Sequence, residues 1–162
     1  MKRIEAGGYL FEFRDVLDAF VFDETDDTKP TYHGATVLKA VDILVESENL
    51  WYFIEVKDFH DPAQYDRGDG VHELRKKLKY KFRDTYLCRH AENKITKPII
   101  YICLLANLEN ALCTQMQKVL SYELPVRKPT PRWQFELAKG CIVLNVERWN
   151  TNFSKWPVHP VQ

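Results

Sequence analysis

Residues 37–59, VLKAVDILVESENLWYFIEVKDF, predict the element around which the rest of the chain folds. Two runs rich in β-branched and aromatic residues, Val37–Glu46 and Leu50–Lys57, predict two strands. Residues 46–49 between them, ESEN, are polar and typical of a tight turn. The stretch is therefore expected to form an antiparallel β-hairpin.

The register of this hairpin decides which side chains share a face. If Glu46 pairs with Trp51, then Asp42 lies opposite Glu55, and directly opposed residues point to the same face. Lys57 follows Glu55 by two residues and projects from that face as well. The other face is apolar and is expected to bury Ile43, Val45, Tyr52, Ile54 and Val56.

Two opposed carboxylates repel each other unless a cation lies between them. Mg²⁺ suits such a pair because it takes one or two protein carboxylates and keeps several waters. The Lys57 ammonium would then orient a water or neutralise charge on a phosphate transition state. Asp42, Glu55 and Lys57 are therefore candidate catalytic residues, and the two acids are candidate ligands of Mg²⁺, with Mn²⁺ as a substitute. The alternative is a structural hairpin with a solvated charged face.

The spacing of these residues resembles the signature of the PD-(D/E)XK nucleases. In that family an acid on one strand is followed on the next strand by an acid, any residue and a lysine; here they are Asp42 and, after twelve residues, Glu55-Val56-Lys57. Val41 stands where the family often has proline. The resemblance implies a restriction-endonuclease-like α/β core, with a mixed central β-sheet flanked by helices. It also implies that the backbone carbonyl of Val56 is a further metal ligand.

The same resemblance implies an activity, namely metal-dependent hydrolysis of phosphodiester bonds in nucleic acid, with DNA expected in preference to RNA. In-line attack would expel the 3′ oxygen and leave a 5′ phosphate. Two other functions stay open. One is an inactive nuclease-fold module that recognises nucleic acid or a protein partner. The other is an unrelated adaptor whose aromatic C-terminal tail forms a homodimer contact.

Residues 71–91 predict a long helix, because Leu74, Leu78 and Phe82 recur every four residues. In the resembled fold the helix after the lysine strand carries a basic residue to the catalytic site or the phosphate backbone. Arg75 and Lys79, one turn apart, are therefore the nucleic-acid-binding candidates, although solvation of the helix would also account for them. A loop is expected over residues 58–70, DFHDPAQYDRGDG, and it would leave directly from the site.

The N-terminal region is ambiguous. Tyr9–Phe13 alternates as a strand would, but apolar residues also recur at helical spacing from Phe11 to about Phe22, and we expect a mainly helical segment. If it is a helix, Glu12, Asp15 or Asp18 is a candidate to join the metal site, as an acid of the first helix sometimes does in the resembled family.

The C-terminal half predicts a strand, a helix and a strand. Residues 97–107, KPIIYICLLAN, predict a buried central strand, residues 107–122 a helix, and residues 141–149, CIVLNVERW, a further strand. The last aromatic residues, Trp149, Phe153 and Trp156, either stack on unpaired bases or fasten the C-terminus over the core.

Composition limits the remaining possibilities. At 162 residues and 45% hydrophobic, residues 1–162 are expected to form a single domain, and the four scattered cysteines are expected to be buried reduced thiols. No apolar run long enough to span a membrane and no signal-peptide pattern occurs, so a cytoplasmic location is expected. The net charge is zero, but residues 1–70 hold 7 Lys+Arg against 16 Asp+Glu, and residues 71–95 hold 8 against 3. A basic helix facing an acidic half suits a polyanion held over an acidic metal site.

Overall fold

The computed structural model describes residues 1–59 and 70–162, and within these ranges the chain forms eight strands and three helices. In chain order they are β1 Lys2–Ala6, β2 Tyr9–Phe13, β3 Asp18–Val21, β4 Ile43–Glu46, β5 Trp51–Asp58, α1 Gly70–Ala91, β6 Ile99–Ala106, α2 Asn110–Glu123, β7 Gly140–Leu144, α3 Val146–Asn152 and β8 Val158–Pro160. Most of the loop predicted at 58–70 lies outside the described residues.

A mixed five-stranded sheet organises the molecule, with the strands in the order β3-β4-β5-β6-β7. The β3–β4 and β4–β5 pairs are antiparallel, whereas β5–β6 and β6–β7 are parallel. Parallel neighbours need a crossover connection, and here α1 lies between β5 and β6 in the chain and α2 between β6 and β7. The predicted fold class, α/β with a mixed central sheet flanked by helices, is confirmed.

Both faces of this sheet are buried. On one face α1 and α2 cover a core that includes Phe53, Phe82 and Tyr101. The small antiparallel sheet β1-β2-β8 and α3 cover the other face, where Phe11 and Trp149 are fully buried. The central strand β6 has no exposed residue, which explains its unbroken apolar sequence.

The predicted hairpin register is confirmed, since Glu46 pairs with Trp51 and Ile43 with Ile54. The first strand, however, begins at Ile43 and not at Val37. Helix α1 accounts for the difference because it binds the preceding backbone. The Lys39 N–H donates to Asp84 Oδ2 (2.9 Å) and the Val41 N–H to Thr85 Oγ1 (3.0 Å), so these groups are not paired with β5.

The prediction of a helix from Phe11 to about Phe22 is wrong, because this region forms β2 and β3. Gly7 and Gly8, with φ of 57° and 84°, make the turn from β1 into β2. Along β2 every second residue is buried, and Phe11 packs edge-on against Trp149 with ring centroids 5.4 Å apart. The alternation of buried residues is therefore that of a strand, and the aromatic residues of β2 pack against the sheet and the C-terminal tail.

In the C-terminal half, α2 begins at Asn110, later than the predicted Asn107. The last predicted strand ends at Leu144, because the Asn145 side chain accepts the Arg148 N–H and so caps α3. Trp149 is fully buried and Trp156 is 8% exposed, so these tail aromatics fasten the C-terminus over the core.

The cysteines agree in part with the expected buried reduced thiols, since Cys88 is only partly buried. All four cysteines are free, and three of them are buried. No helix within residues 1–59 and 70–162 is both long and apolar enough to cross a membrane.

Candidate active site

The Asp42 carboxylate lies where β4 separates from β5. If the strand pairing continued in the observed register, Val41 would pair with Val56. The Val41 N–H is bonded to Thr85 of α1, however. Asp42 Oδ2 accepts the Val56 N–H instead, at 2.7 Å. The Asp42 carbonyl in turn accepts the Phe22 N–H at the end of β3 (2.8 Å), so Asp42 is held from both sides.

Glu55 lies on the face of β5 that α1 covers, among the apolar residues of that core. It is only 6% exposed. The alternative interpretation of the sequence was a structural hairpin with a solvated charged face, but Trp51 and Phe53, on the same face of the strand, are buried. Glu55 therefore ends an apolar row and does not belong to a solvated charged face.

Asp42, Glu55 and Lys57 line one cavity of about 340 Å³ between the hairpin and α1. The three residues predicted from the sequence are therefore brought together. Lysines surround the two carboxylates, and the ones that line this cavity within the described ranges are Lys39, Lys57, Lys77 and Lys81. Lys39, Lys57 and Lys77 are exposed, so the cavity has an acidic floor and a basic rim.

Lys81 makes the direct ionic contact with the buried acid. Its Nζ lies 3.3 Å from Glu55 Oε2 and 3.5 Å from Asp23 Oδ2. Sequence reasoning missed both Lys81 and Asp23. A signal for Lys81 exists, because it follows Leu74 by seven residues and Leu78 by three and so belongs to the buried stripe of α1. A lysine at such a position indicates a buried partner of opposite charge. Asp23 has no comparable signal in its loop.

Burial and mutual repulsion shift the ionisation of the two acids. Desolvation, and then the charge of Asp42, raise the pKa of Glu55 from 4.5 to about 8, although the Lys81 ammonium opposes this. Desolvation also raises the pKa of Asp42, while the hydrogen bond from the Val56 N–H lowers it in part. For Lys81, burial lowers the pKa, but Glu55, Asp42 and Asp23 together raise it by more.

The residues present fit a hard divalent cation. Glu55 Oε2 is buried and has the Lys81 ammonium 3.3 Å away, and Asp42 provides a second carboxylate beside it. The Val56 carbonyl leaves β5 on the same side as the Val56 N–H, which points to Asp42. No larger group of carboxylate, histidine or cysteine side chains placed to hold a metal occurs within residues 1–59 and 70–162. Two carboxylates and a carbonyl match Mg²⁺, which keeps several of its waters.

The two residues predicted to bind nucleic acid lie elsewhere on α1. Arg75 and Lys79 both form ion pairs with Glu123 at the end of α2; the Lys79 contact is 2.7 Å. Neither residue lines the cavity, whereas Lys77 and Lys81 on the same helix do. Hydrogen bonds from both side chains also lower the pKa of Glu123.

The N-terminal acids do not reach the cavity. Glu12 pairs with Arg3 and Arg14 on the small sheet. Asp15 pairs with Lys155, and Asp18 with Lys2. Because the segment is not a helix, the acid that approaches the site is Asp23, which follows β3 and contacts Lys81.

Comparison with known proteins yields a distant structural similarity. No protein-family model matches the chain, and no curated protein matches it. Among solved structures the chain is similar to the small subunit (R.BspD6I2) of the heterodimeric restriction endonuclease R.BspD6I, with a TM-score of 0.40 and 13% identity. The similarity covers 85% of this chain and 57% of that subunit. A similarity this distant carries no argument about activity, and the site is interpreted from its own geometry.

Proposed function

We propose that this protein is a metal-dependent nuclease that hydrolyses phosphodiester bonds. The observation that supports this function best is the meeting of Asp42, Glu55 and Lys57 in one cavity with a basic rim. The PD-(D/E)XK resemblance implies this arrangement, in which two carboxylates lie at one end of a hairpin and a lysine follows the second acid by two residues. The mixed sheet and the helix over the hairpin agree with that fold.

Asp42, Glu55 and the Val56 carbonyl would hold Mg²⁺, or Mn²⁺ in its place. When bound, the ion supplies Lewis-acid activation and stabilises negative charge at the scissile phosphate. The Asp42 carboxylate is already oriented by its bond from the Val56 N–H, and in the metal-free protein Glu55 is paired with Lys81 of α1. Lys57 is exposed and lines the cavity, so its ammonium is free of the core and positions the attacking water.

The rim of the cavity supports an anionic substrate. Lys39, Lys57 and Lys77 bring three exposed ammonium groups to the mouth of a site whose floor is acidic. The phosphodiester backbone of nucleic acid would be attracted by such a rim, which would bring the scissile group to the two carboxylates. Arg75 and Lys79 remain candidates for contacts further along the same backbone, and these would compete with Glu123. We expect DNA to be preferred to RNA.

The proposal is tested by incubating the pure protein with supercoiled plasmid, linear duplex and single-stranded DNA, and with RNA, in Mg²⁺ or Mn²⁺. We expect cleavage that EDTA abolishes. Lys57→Ala should lose cleavage by at least about 100-fold, the contribution typical of a positioned acid–base group. Lys118→Ala removes an exposed lysine from α2 and is the matched control, which should keep full activity.

The possible failures lead to different conclusions. Metal-dependent DNA binding without cleavage of any substrate would support the inactive binding module. Cleavage that survives Lys57→Ala would assign the water-positioning role to another group. Absence of cleavage, metal binding and DNA binding together would refute the proposed function and leave an adaptor that assembles with a protein partner or with a second copy.

A further inference from the structure

Lys81 is not explained by the roles assigned above. Its side chain is 20% exposed and points its ammonium at Glu55, whose side chain is 8% exposed. Lysines usually lie at the surface, because burying an ammonium removes the water that solvates its charge. Here the ammonium lies among Glu55, Asp42 and Asp23, which together raise its pKa.

We propose that Lys81 is an internal counter-cation that occupies the metal site of the free protein and is displaced when metal and a nucleic-acid phosphate bind together. This inference rests on the proposed function and names the residue that regulates its site. It makes metal binding and nucleic-acid binding mutually reinforcing. In this account Lys81 is a positioning residue that acts through the Glu55 carboxylate.

Competition for one oxygen is the first step of the argument. The Lys81 Nζ lies 3.3 Å from Glu55 Oε2, an oxygen with almost no accessible surface. A bound Mg²⁺ would approach that oxygen to about 2.0–2.1 Å and bring its own waters. The ammonium and the hydrated ion cannot both occupy that position, and two cations so close would also repel each other. We therefore expect the lysine to withdraw from Glu55 Oε2 when the ion binds there.

The destination of the displaced ammonium is the second step. Once the metal takes both Glu55 and Asp42, the carboxylate left to Lys81 within the described ranges is Asp23, at 3.5 Å and with a side chain 44% exposed. The other side chains of the cavity near it include Lys39 and Lys77, which repel it. A phosphate group at the mouth of the cavity would give Lys81 a new anionic partner and would offset the loss of Glu55.

Reciprocity is the third step. If a phosphate stabilises the displaced lysine, it strengthens metal binding, and the metal must strengthen phosphate binding by the same factor. Couplings between sites are typically about 5–150-fold in affinity. The free protein would therefore bind metal weakly, and the site would assemble fully on nucleic acid. Removing the ammonium should remove most of this coupling.

The test measures Mn²⁺ affinity by calorimetry for four proteins, each with and without a short DNA duplex. All four carry Lys57→Ala, so that the duplex stays intact, and titration of the duplex alone is subtracted. One protein has no other change, and the others carry Lys81→Met, Lys81→Gln or Lys77→Met. Lys77 lines the same cavity but is exposed, so Lys77→Met removes an equal charge without opening Glu55.

We expect Lys81→Met to bind Mn²⁺ about tenfold tighter than its parent without DNA, within the usual range of such couplings. Without DNA, Lys77→Met should differ from the parent by less than about threefold, since its charge is screened by water; with DNA it is not a control, because Lys77 belongs to the basic rim. The duplex should tighten Mn²⁺ binding of the parent several-fold and that of Lys81→Met much less. Lys81→Gln removes the charge but keeps a hydrogen-bond donor for Glu55. If Lys81→Met does not fold without metal, the Mn²⁺ affinity of Lys81→Gln is compared with that of the parent in its place.

Each contrary result has a distinct meaning. Equal or weaker Mn²⁺ binding by both Lys81 variants would overturn the inference and leave the proposed nuclease untouched. An equal effect of DNA on parent and Lys81→Met would also overturn it. Metal binding gained on removal of Lys81 would support the inference even if the protein cleaves no nucleic acid. Absence of metal binding in every variant would refute both the inference and the metal-dependent function.

Discussion

Replacing Glu55 by glutamine should change the pH dependence of folding more than any other single substitution at the site. Desolvation and the neighbouring Asp42 charge raise the pKa of Glu55 from 4.5 to about 8. Between these pH values the folded protein holds a proton that the unfolded chain has released. The resulting stabilisation is complete below about pH 4.5 and is lost as the pH rises through about 8.

The size of the effect follows from that interval. Each pH unit within it costs about 1.4 kcal/mol of unfolding free energy, so the metal-free wild type should lose on the order of 5 kcal/mol between pH 4.5 and 8. Glu55→Gln carries no titrating proton there and should lose far less. The variant should therefore match the wild type near pH 4.5 and exceed it at pH 8, by roughly 10 °C in Tm for a domain of this size.

Urea unfolding in EDTA at several pH values from 4.5 to 8 would measure this. Glu46→Gln removes a charge from the other end of the same hairpin, where Glu46 pairs with Lys97, and is the matched control. The control should keep the steep dependence of the wild type. A slope in Glu55→Gln as steep as in the wild type, or a variant less stable than the wild type at pH 8, would refute the reasoning. Saturating Mn²⁺ should stabilise the wild type at pH 8 and leave Glu55→Gln nearly unchanged.

Two further predictions concern the scaffold that holds the site. Gly7→Ala should lower the free energy of unfolding, measured with urea, by about 2–4 kcal/mol. The left-handed backbone (φ 57°) strains any residue with a Cβ, and that Cβ would meet Val56 Cγ1 at 2.6 Å. A Cβ at Gly8 would meet nothing within 4 Å, so Gly8→Ala should lose only the stability that the backbone strain removes. Equal losses of unfolding free energy in the two variants would show that the clash with Val56 does not contribute. Thr85→Val should cost about 1–3 kcal/mol, since the Val41 N–H is left unpaired, and should weaken Mn²⁺ binding through the neighbouring Asp42. Thr85→Ser keeps the hydroxyl and should lose less on both measures.

The hairpin could be predicted from the sequence because its information is local. Strand period, turn residues and register all lie within residues 37–59, and together they place Asp42 opposite Glu55. The predicted start of the first strand is wrong because it depends on residues far away in the chain. Asp84 and Thr85 of α1, more than 40 residues away in the chain, bind the backbone of Lys39 and Val41.

The N-terminal strands and the contacts of Lys81 were missed for a related reason. Apolar residues between Phe11 and Phe22 fit both a helical and a two-residue spacing, and the choice depends on partners such as Trp149. The Lys81–Glu55 contact likewise requires α1 to lie along β5. That placement follows from Phe82 packing on Phe53, with ring centroids 6.0 Å apart. A single sequence contains these residues but not the packing that brings them together.

The energetics of the site support a functional role for its charges. Glu55 ends a row whose other members, Trp51 and Phe53, are buried and apolar, so an apolar residue there would extend an existing core. Replacing buried charges by well-packed apolar residues is often neutral or stabilising by about 1–4 kcal/mol. A structural hairpin would therefore gain stability by losing Asp42, Glu55 and Lys81 together. The chain instead keeps two repelling carboxylates and a lysine that only partly offsets them, because the pKa of Glu55 stays raised beside Lys81. Such a local departure from the rules of a stable core is expected where a site binds a ligand, and a divalent cation would supply the charge that Lys81 does not.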